Sequence, residues 1–269
     1  MELTVPVAGG HLWADDTGGS GPALVLLHPG WGDSSIWLPM LDGLLPRYRV
    51  IRYDTRGVGR SPAPGAPFSQ LGDLDAVLDH CGVATAMLVG HSGGGSTAIG
   101  LALADPQRVR ALLLLAPGAA DYPWALEDPY FTGMNELFET GDREAIAALG
   151  MRTWASCGGP AAWAQIRGAT DAFFRVSDHE RPDPPAYERL GQIQVPTAMV
   201  IGDRDYPAMI RCADDIAARI PGCHHTTALG ADHMLPLRVP GPLVELVGKM
   251  DRSEDLPTEI VAAHPTAPS

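Results

Sequence analysis

Lysine is almost missing from this chain of 269 residues: Lys249 is the only one. That excludes Schiff-base chemistry on a core lysine, a Ser-Lys dyad and a phosphate-loop lysine. Cysteine is scarce too. Cys81, Cys157, Cys212 and Cys223 are the only four, and none falls in a C-x-x-C pair, so zinc ribbons and redox motifs are excluded. They read as free, mostly buried thiols in a reducing cytoplasm. Long apolar runs are absent, which leaves no membrane span. The start, Met1 to Pro6, lacks a basic region and an apolar core, so no export signal is expected and the location reads as cytoplasmic. Positive charge is in deficit. A net charge of −13 argues against nucleic acid as a partner, because phosphate binding needs a basic face. A hydrophobic small molecule is the expected partner, with no metal and no cofactor. The sequence carries no signal of oligomeric state.

What is present is a repeated exchange of short apolar runs and helical patterns. Leu3 to Val7 and His11 to Ala14 read as a hairpin around Gly9-Gly10. Ala23 to Leu27, Arg49 to Tyr53, Met87 to Val89, Leu112 to Leu115 and Thr197 to Ile201 read as strands buried on both faces. A last strand is expected near His225 to Leu229 and a last helix near Leu243 to Met250. Helix-length segments between the strands mean crossover connections. The expected fold is therefore α/β, with a mostly parallel central sheet flanked by helices. Residues 1–120 and 191–252 form that core. Between 121 and 190 the strand rhythm stops, and the pattern becomes helical and broken by Gly and Pro. Residues 253–269, rich in Pro, Ala and Thr, read as a flexible tail.

Gly90-His91-Ser92-Gly93-Gly94 follows the apolar run Ala86 to Val89 and precedes a stretch of small residues. Strand, tight glycine turn and helix is the arrangement that pushes a serine hydroxyl out of a sheet edge. From the chain's own glycine and serine frequencies the pattern would arise by accident in roughly one chain in seven, so context decides.

A serine needs a base beside it, and that base needs a carboxylate to fix its tautomer. His233 lies in Gly230-Ala231-Asp232-His233-Met234, on a late loop after the last expected strand. His28 ends a strand, His91 points away from Ser92, and His224 and His225 sit inside a strand. His11, His80, His179 and His264 have no supporting context. For the carboxylate, Val200 to Asp205 ends the strand after the insertion, and Asp205 stands three residues past Gly202. Asp203 is expected to cap or to pair with Arg204. Asp121 and Glu127 are the rivals, and Asp232 is expected to order its loop.

The oxyanion of an acyl transfer needs two backbone N–H donors. Gly93 follows the nucleophile, and His28-Pro29-Gly30-Trp31-Gly32 supplies the second. Pro29 has no N–H, so Gly30 or Trp31 must serve. Ten of the seventeen aromatic residues fall within 121–190, enough to suggest a substrate wall. Trp124, Trp154, Trp163 and Phe131 are the candidates for it.

At these residues the chain resembles the α/β-hydrolase fold family. The likeness runs from about Leu3 to Met250 and takes in the glycine loop, the stretch Asp54 to Ser61 (D-x-R-G-x-G-x-S), the elbow at Ser92, Asp205 and His233. It implies a serine nucleophile of the esterase and lactonase kind, with 121–190 as a helical cap and the Asp54 to Ser61 loop structural. The expected activity is hydrolysis of an ester, lactone or thioester of a hydrophobic small molecule through an acyl-enzyme. The acidic insertion disfavours a highly anionic substrate. Hydrolysis of a C–C bond in a diketone-like compound needs the same histidine. A long insertion disfavours cofactor-free perhydrolase or haloperoxidase activity, and a full candidate triad disfavours a non-catalytic ligand receptor.

Overall fold

The computed structural model describes residues 1–176 and 179–262. Its strands are β1 (Glu2–Val7), β2 (Gly10–Asp16), β3 (Ala23–Leu27), β4 (Arg49–Tyr53), β5 (Ala86–His91), β6 (Val109–Leu115), β7 (Thr197–Gly202), β8 (His224–Leu229) and β9 (Glu259–Val261). They form one sheet in the order β1-β2-β4-β3-β5-β6-β7-β8-β9. β1, β2 and β4 pair antiparallel, and from β4 to β9 every pairing is parallel. The central strands are continuous apolar runs because both of their faces are covered. Every residue of β5 and β7 is buried, and all but the first of β3.

The helices are α1 (Leu38–Leu44), α2 (Gln70–His80), α3 (Gly93–Ala104), α4 (Pro129–Thr140), α5 (Arg143–Trp154), α6 (Pro160–Val176), α7 (Pro207–Arg219), α8 (Leu235–Arg238) and α9 (Pro240–Asp251). α2 packs on α3, and α1 packs on α9. The fold is the expected α/β one, a mostly parallel sheet with helices flanking it. From β3 the chain moves outward to β4 and then returns to β5 on the other side of β3. Such a reversal opens a crevice beyond the carboxyl ends of the two strands, where open α/β sheets bind ligands. The glycine loop and Ser92 follow those two strand ends.

α4, α5 and α6 all lie between β6 and β7. The Ala120 carbonyl accepts from the Ala186 and Tyr187 amides at 3.1 and 3.0 Å, so the segment leaves and rejoins the core at one point.

Two expectations are corrected. Within the tail, Glu259–Val261 adds a parallel strand beside β8, and the Ala262 amide donates to the Leu229 carbonyl at 3.0 Å. A sheet edge recruits main chain by its unpaired N–H and C=O groups, which needs no apolar pattern. Residues 263–269, with His264, lie outside the described residues. Among the cysteines only Cys212 is buried, and Cys157 is exposed.

Candidate active site

Ser92 stands between β5 and α3 with φ 54° and ψ −114°. A non-glycine residue in this region costs about 1–3 kcal/mol and persists only where its surroundings over-determine it. Here they do. The Ser92 amide donates to the Leu115 carbonyl at 2.9 Å, and its carbonyl accepts from the Ser96 and Gly118 amides, both at 3.1 Å. The flanking glycines are sterically required. A Cβ on Gly90 would lie 2.6 Å from the Gly94 carbonyl oxygen, and one on Gly94 would lie 2.3 Å from that of Leu27. The amino end of α3 meets the serine, which favours negative charge there.

Asp205 and His233 lie on loops after β7 and β8. The His233 Nδ1–H donates to Asp205 Oδ2 at 2.8 Å, with the two side chains 1% and 0% exposed. Asp205 Oδ1 accepts from the Tyr206 amide at 2.6 Å, so both carboxylate oxygens are held. With Nδ1 committed, Nε2 is the imidazole nitrogen left to exchange a proton.

Around that pair the structure reveals a layer the sequence does not announce. His91 Nε2–H donates to the His233 carbonyl at 2.8 Å, and the two rings lie 5.0 Å apart. Its Nδ1 is buried without a partner. Burial, and then the neighbouring His233, hold His91 well below the ordinary histidine pKa. Asp203 does not pair with Arg204. It accepts from the Gly230 amide at 2.7 Å and ties β7 to the loop that carries the histidine. Asp232 orders that loop, as expected, and reaches further. It holds Arg238 through both carboxylate oxygens at 2.8 and 2.9 Å and accepts from the Cys157 amide at 2.7 Å. Asp121 and Glu127 are exposed.

In the glycine loop, the Gly30 amide nitrogen lies 3.6 Å from where a Cβ on Gly93 would stand. The Gly30 and Gly93 amides donate to no protein acceptor among the described residues. Trp31 is fixed through its side chain. Its Nε1–H donates to the Tyr130 hydroxyl at 2.9 Å, and its ring meets Phe173 edge-on at 4.7 Å. His28 is a structural imidazole. Its Nε2 accepts from the Thr55 amide at 3.0 Å, so Nδ1–H donates to the Pro29 carbonyl at 2.8 Å.

Beside these amides lies a cavity of about 200 Å³. None of the four candidate wall aromatics lines it. Trp154 is buried with its ring 4.8 Å from that of His233, so it packs on the histidine. Trp124 and Phe131 stack on each other at 5.7 Å within a run of rings that continues through Tyr130 to Trp154. Trp163 is 37% exposed, with the Arg167 guanidinium over its ring. The aromatic of the insertion that does line the cavity is Phe173, next to Ala172 and Val176 on α6. Helical spacing from Ile166 and Ala169 puts that stretch on the buried face, a usable signal inside the insertion. Arg56 also lines the cavity, with its charge met by Asp73 at 2.6 Å in a buried pair. Among the described residues no three His, Cys, Asp or Glu side chains converge to hold a metal ion. Among them, too, no helix is long and apolar enough to cross a membrane.

Known proteins share this fold. The profile of the alpha/beta hydrolase fold family matches residues 22–144. A protein of Caulobacter segnis assigned as carbamate hydrolase RutD is 28% identical over 228 residues, which is 75% of this chain and 81% of the relative. The pimeloyl-[acyl-carrier protein] methyl ester esterase of Legionella pneumophila is 28% identical over 78% of this chain and 93% of its own. Among solved structures, Est816, an N-acyl homoserine lactone degrading enzyme, superposes with a TM-score of 0.76 at 26% identity, covering 91% of this chain and 99% of its own. The profile starts just before β3 and spans the glycine loop and the elbow, and the superposition takes in 91% of the chain. The chain has the α/β-hydrolase fold, and its residues 22–144 match that family's profile.

Proposed function

We propose that the protein is a serine hydrolase that cleaves an ester, lactone or thioester of a hydrophobic small molecule through an acyl-enzyme on Ser92. The buried Asp205–His233 pair, on the loops that face the strained Ser92 turn, carries the reading. Ser92 Oγ attacks the substrate carbonyl carbon while His233 Nε2 takes its proton. Asp205 keeps the other ring nitrogen protonated and stabilises the imidazolium that forms. The tetrahedral oxyanion is held by the Gly93 and Gly30 amides, two donors with no protein acceptor to give up. His233 returns its proton to the leaving oxygen or sulfur. Water, deprotonated by the same nitrogen, then attacks the acyl carbon and frees Ser92.

The insertion acts as a cap in this reading, and Trp154 presses on the base from it. Carbamates share the same carbonyl chemistry and belong in the substrate panel, given the Caulobacter relative. Four free cysteines agree with a cytoplasmic setting. The test is covalent labelling by a fluorophosphonate, followed by hydrolysis of esters, lactones, thioesters and carbamates. Wild type labels on one peptide, and Ser92→Ala loses both label and turnover. Folded wild type that takes no label is a receptor or another enzyme.

A further inference from the structure

We infer that the cavity beside the Gly30 and Gly93 amides is the acyl pocket, that it takes a neutral group of about six to eight carbons, and that Glu180 excludes acyl chains ending in a carboxylate. This rests on the hydrolase reading and deepens it to a substrate class.

Size comes from volume. An apolar cavity of about 150 Å³ holds a benzene ring. At about 200 Å³ this one takes a substituted phenyl or a medium straight chain. Its walls are largely hydrocarbon, from Leu27, Val58, Ala172, Phe173 and Val176. Phe173 is the rigid member, because its ring is pinned edge-on against Trp31, which Tyr130 in turn fixes.

Charge comes from the rim. The cavity reaches the surface at Gln70 and Glu180, where Gln70 Nε2 donates to Glu180 Oε1 at 2.9 Å. Glu180 is exposed, and it is the one carboxylate among the described lining residues. Asp183 adds a second acid close by, accepting from the Leu71 amide at 3.1 Å. The lining cation, Arg56, already has its charge paired in the buried ion pair with Asp73. Asp73 takes its Nε and one terminal nitrogen, and the Ala8 carbonyl takes the other. Arg181 follows Glu180 but lines no part of the cavity and turns a nitrogen onto the Glu180 carbonyl at 3.2 Å. A chain long enough to fill the pocket and ending in a carboxylate would bring that charge to Glu180 with no unpaired cation among the described lining residues to meet it. A methyl terminus meets no such penalty.

The test uses the Ser92→Ala protein, so that binding is read without turnover. Methyl hexanoate and monomethyl adipate, which differ only at the far end, are titrated by calorimetry at low ionic strength. Methyl hexanoate should bind at least fivefold tighter. Glu180→Gln should at least halve that ratio, as should added salt, because an exposed charge is screened. Phe173→Ala should move the best chain length upward, from hexanoate to octanoate or longer. The proposal is overturned if methyl hexanoate shows no saturable binding, if adipate binds as well, or if the ratio ignores Glu180→Gln. Failure of the underlying function looks different: wild type takes no fluorophosphonate, while the neutral-over-anionic ratio still stands.

Discussion

Asp205 and Asp121 both follow strands that end near the site, and only one of them touches a histidine. Asp205 is fully buried and holds both its oxygens, while Asp121 is exposed with φ 65°. Asp205→Asn should therefore lower kcat by about four orders of magnitude, because the amide favours the wrong imidazole tautomer. Its melting curve should stay close to wild type, since the amide can keep one hydrogen bond. Asp121→Asn should leave kcat unchanged. The reverse pattern would move the carboxylate to β6. What made Asp205 legible is topology: a carboxylate on a loop after a late strand, before a helix. Phe173 and His91 were not legible in the same way. Which face of an insertion helix meets the core depends on how the helix docks, and a histidine's partner 142 residues away lies outside any local pattern.

His91 has a consequence for stability. Its native pKa lies well below the unfolded value of 6.5, through burial first and the adjacent His233 second. Below pH 6.5 the unfolded chain therefore binds a proton that the native chain refuses, so stability falls as pH drops through that point. His91→Gln keeps a donor for the His233 carbonyl and removes the titration. Urea unfolding at pH 6.5 and 5.5 should show wild type losing up to about 1 kcal/mol more than the variant across that unit. Equal losses would mean that His91 titrates normally in the fold.

At the scale of elements, the turn between β5 and α3 is closed by backbone, not by side chains. A Cβ on Gly94 would meet the Leu27 oxygen at 2.3 Å, its carbon at 2.6 Å and the His28 oxygen at 2.7 Å. None of these can swing aside without moving β3. Gly94→Ala should cost about 3 kcal/mol in denaturant unfolding, the upper end for overpacking. Gly168, within α6, has nothing within 4 Å of its Cβ position. Gly168→Ala should stabilise by about 0.5–1 kcal/mol through helix preference alone. If both substitutions cost alike, the close approach at the elbow is not what selects glycine. The same scale explains what the sequence made readable. The central strands announce themselves because both faces are buried, and the first hairpin because Gly9 and Gly10 both have positive φ. β9 does not, because of its three residues only Ile260 is buried.

Across the whole molecule, the insertion is fastened to the core at both sides of the site. On the side of the glycine loop, Gln165 accepts from the Asp33 amide at 2.9 Å and donates to Ser35 Oγ at 2.8 Å, while Tyr130 holds Trp31. On the His233 side, Asp232 holds the Cys157 amide, and Arg238 donates to the Gly158 carbonyl at 2.8 Å. Asp232 is the immediate neighbour of His233, so the second fastening ties the insertion to the His233 loop. Its charge is costly to leave alone, since the Asp232 side chain is 0% exposed and its ion-pair partner is Arg238. Arg238→Met should therefore destabilise by about 3–5 kcal/mol, the usual result of stranding a buried charge. It should also lower kcat, because the loop that carries His233 loses its anchor. Asp232→Asn combined with Arg238→Met removes both charges while an amide oxygen remains for Cys157. The double variant should recover most of the stability, giving a large coupling energy in the double-mutant cycle. Its kcat should recover as well if the fastening acts by holding the loop rather than by its charge. Strictly additive stability losses would show that the two residues act separately, and that the insertion and the base loop are not joined through this pair.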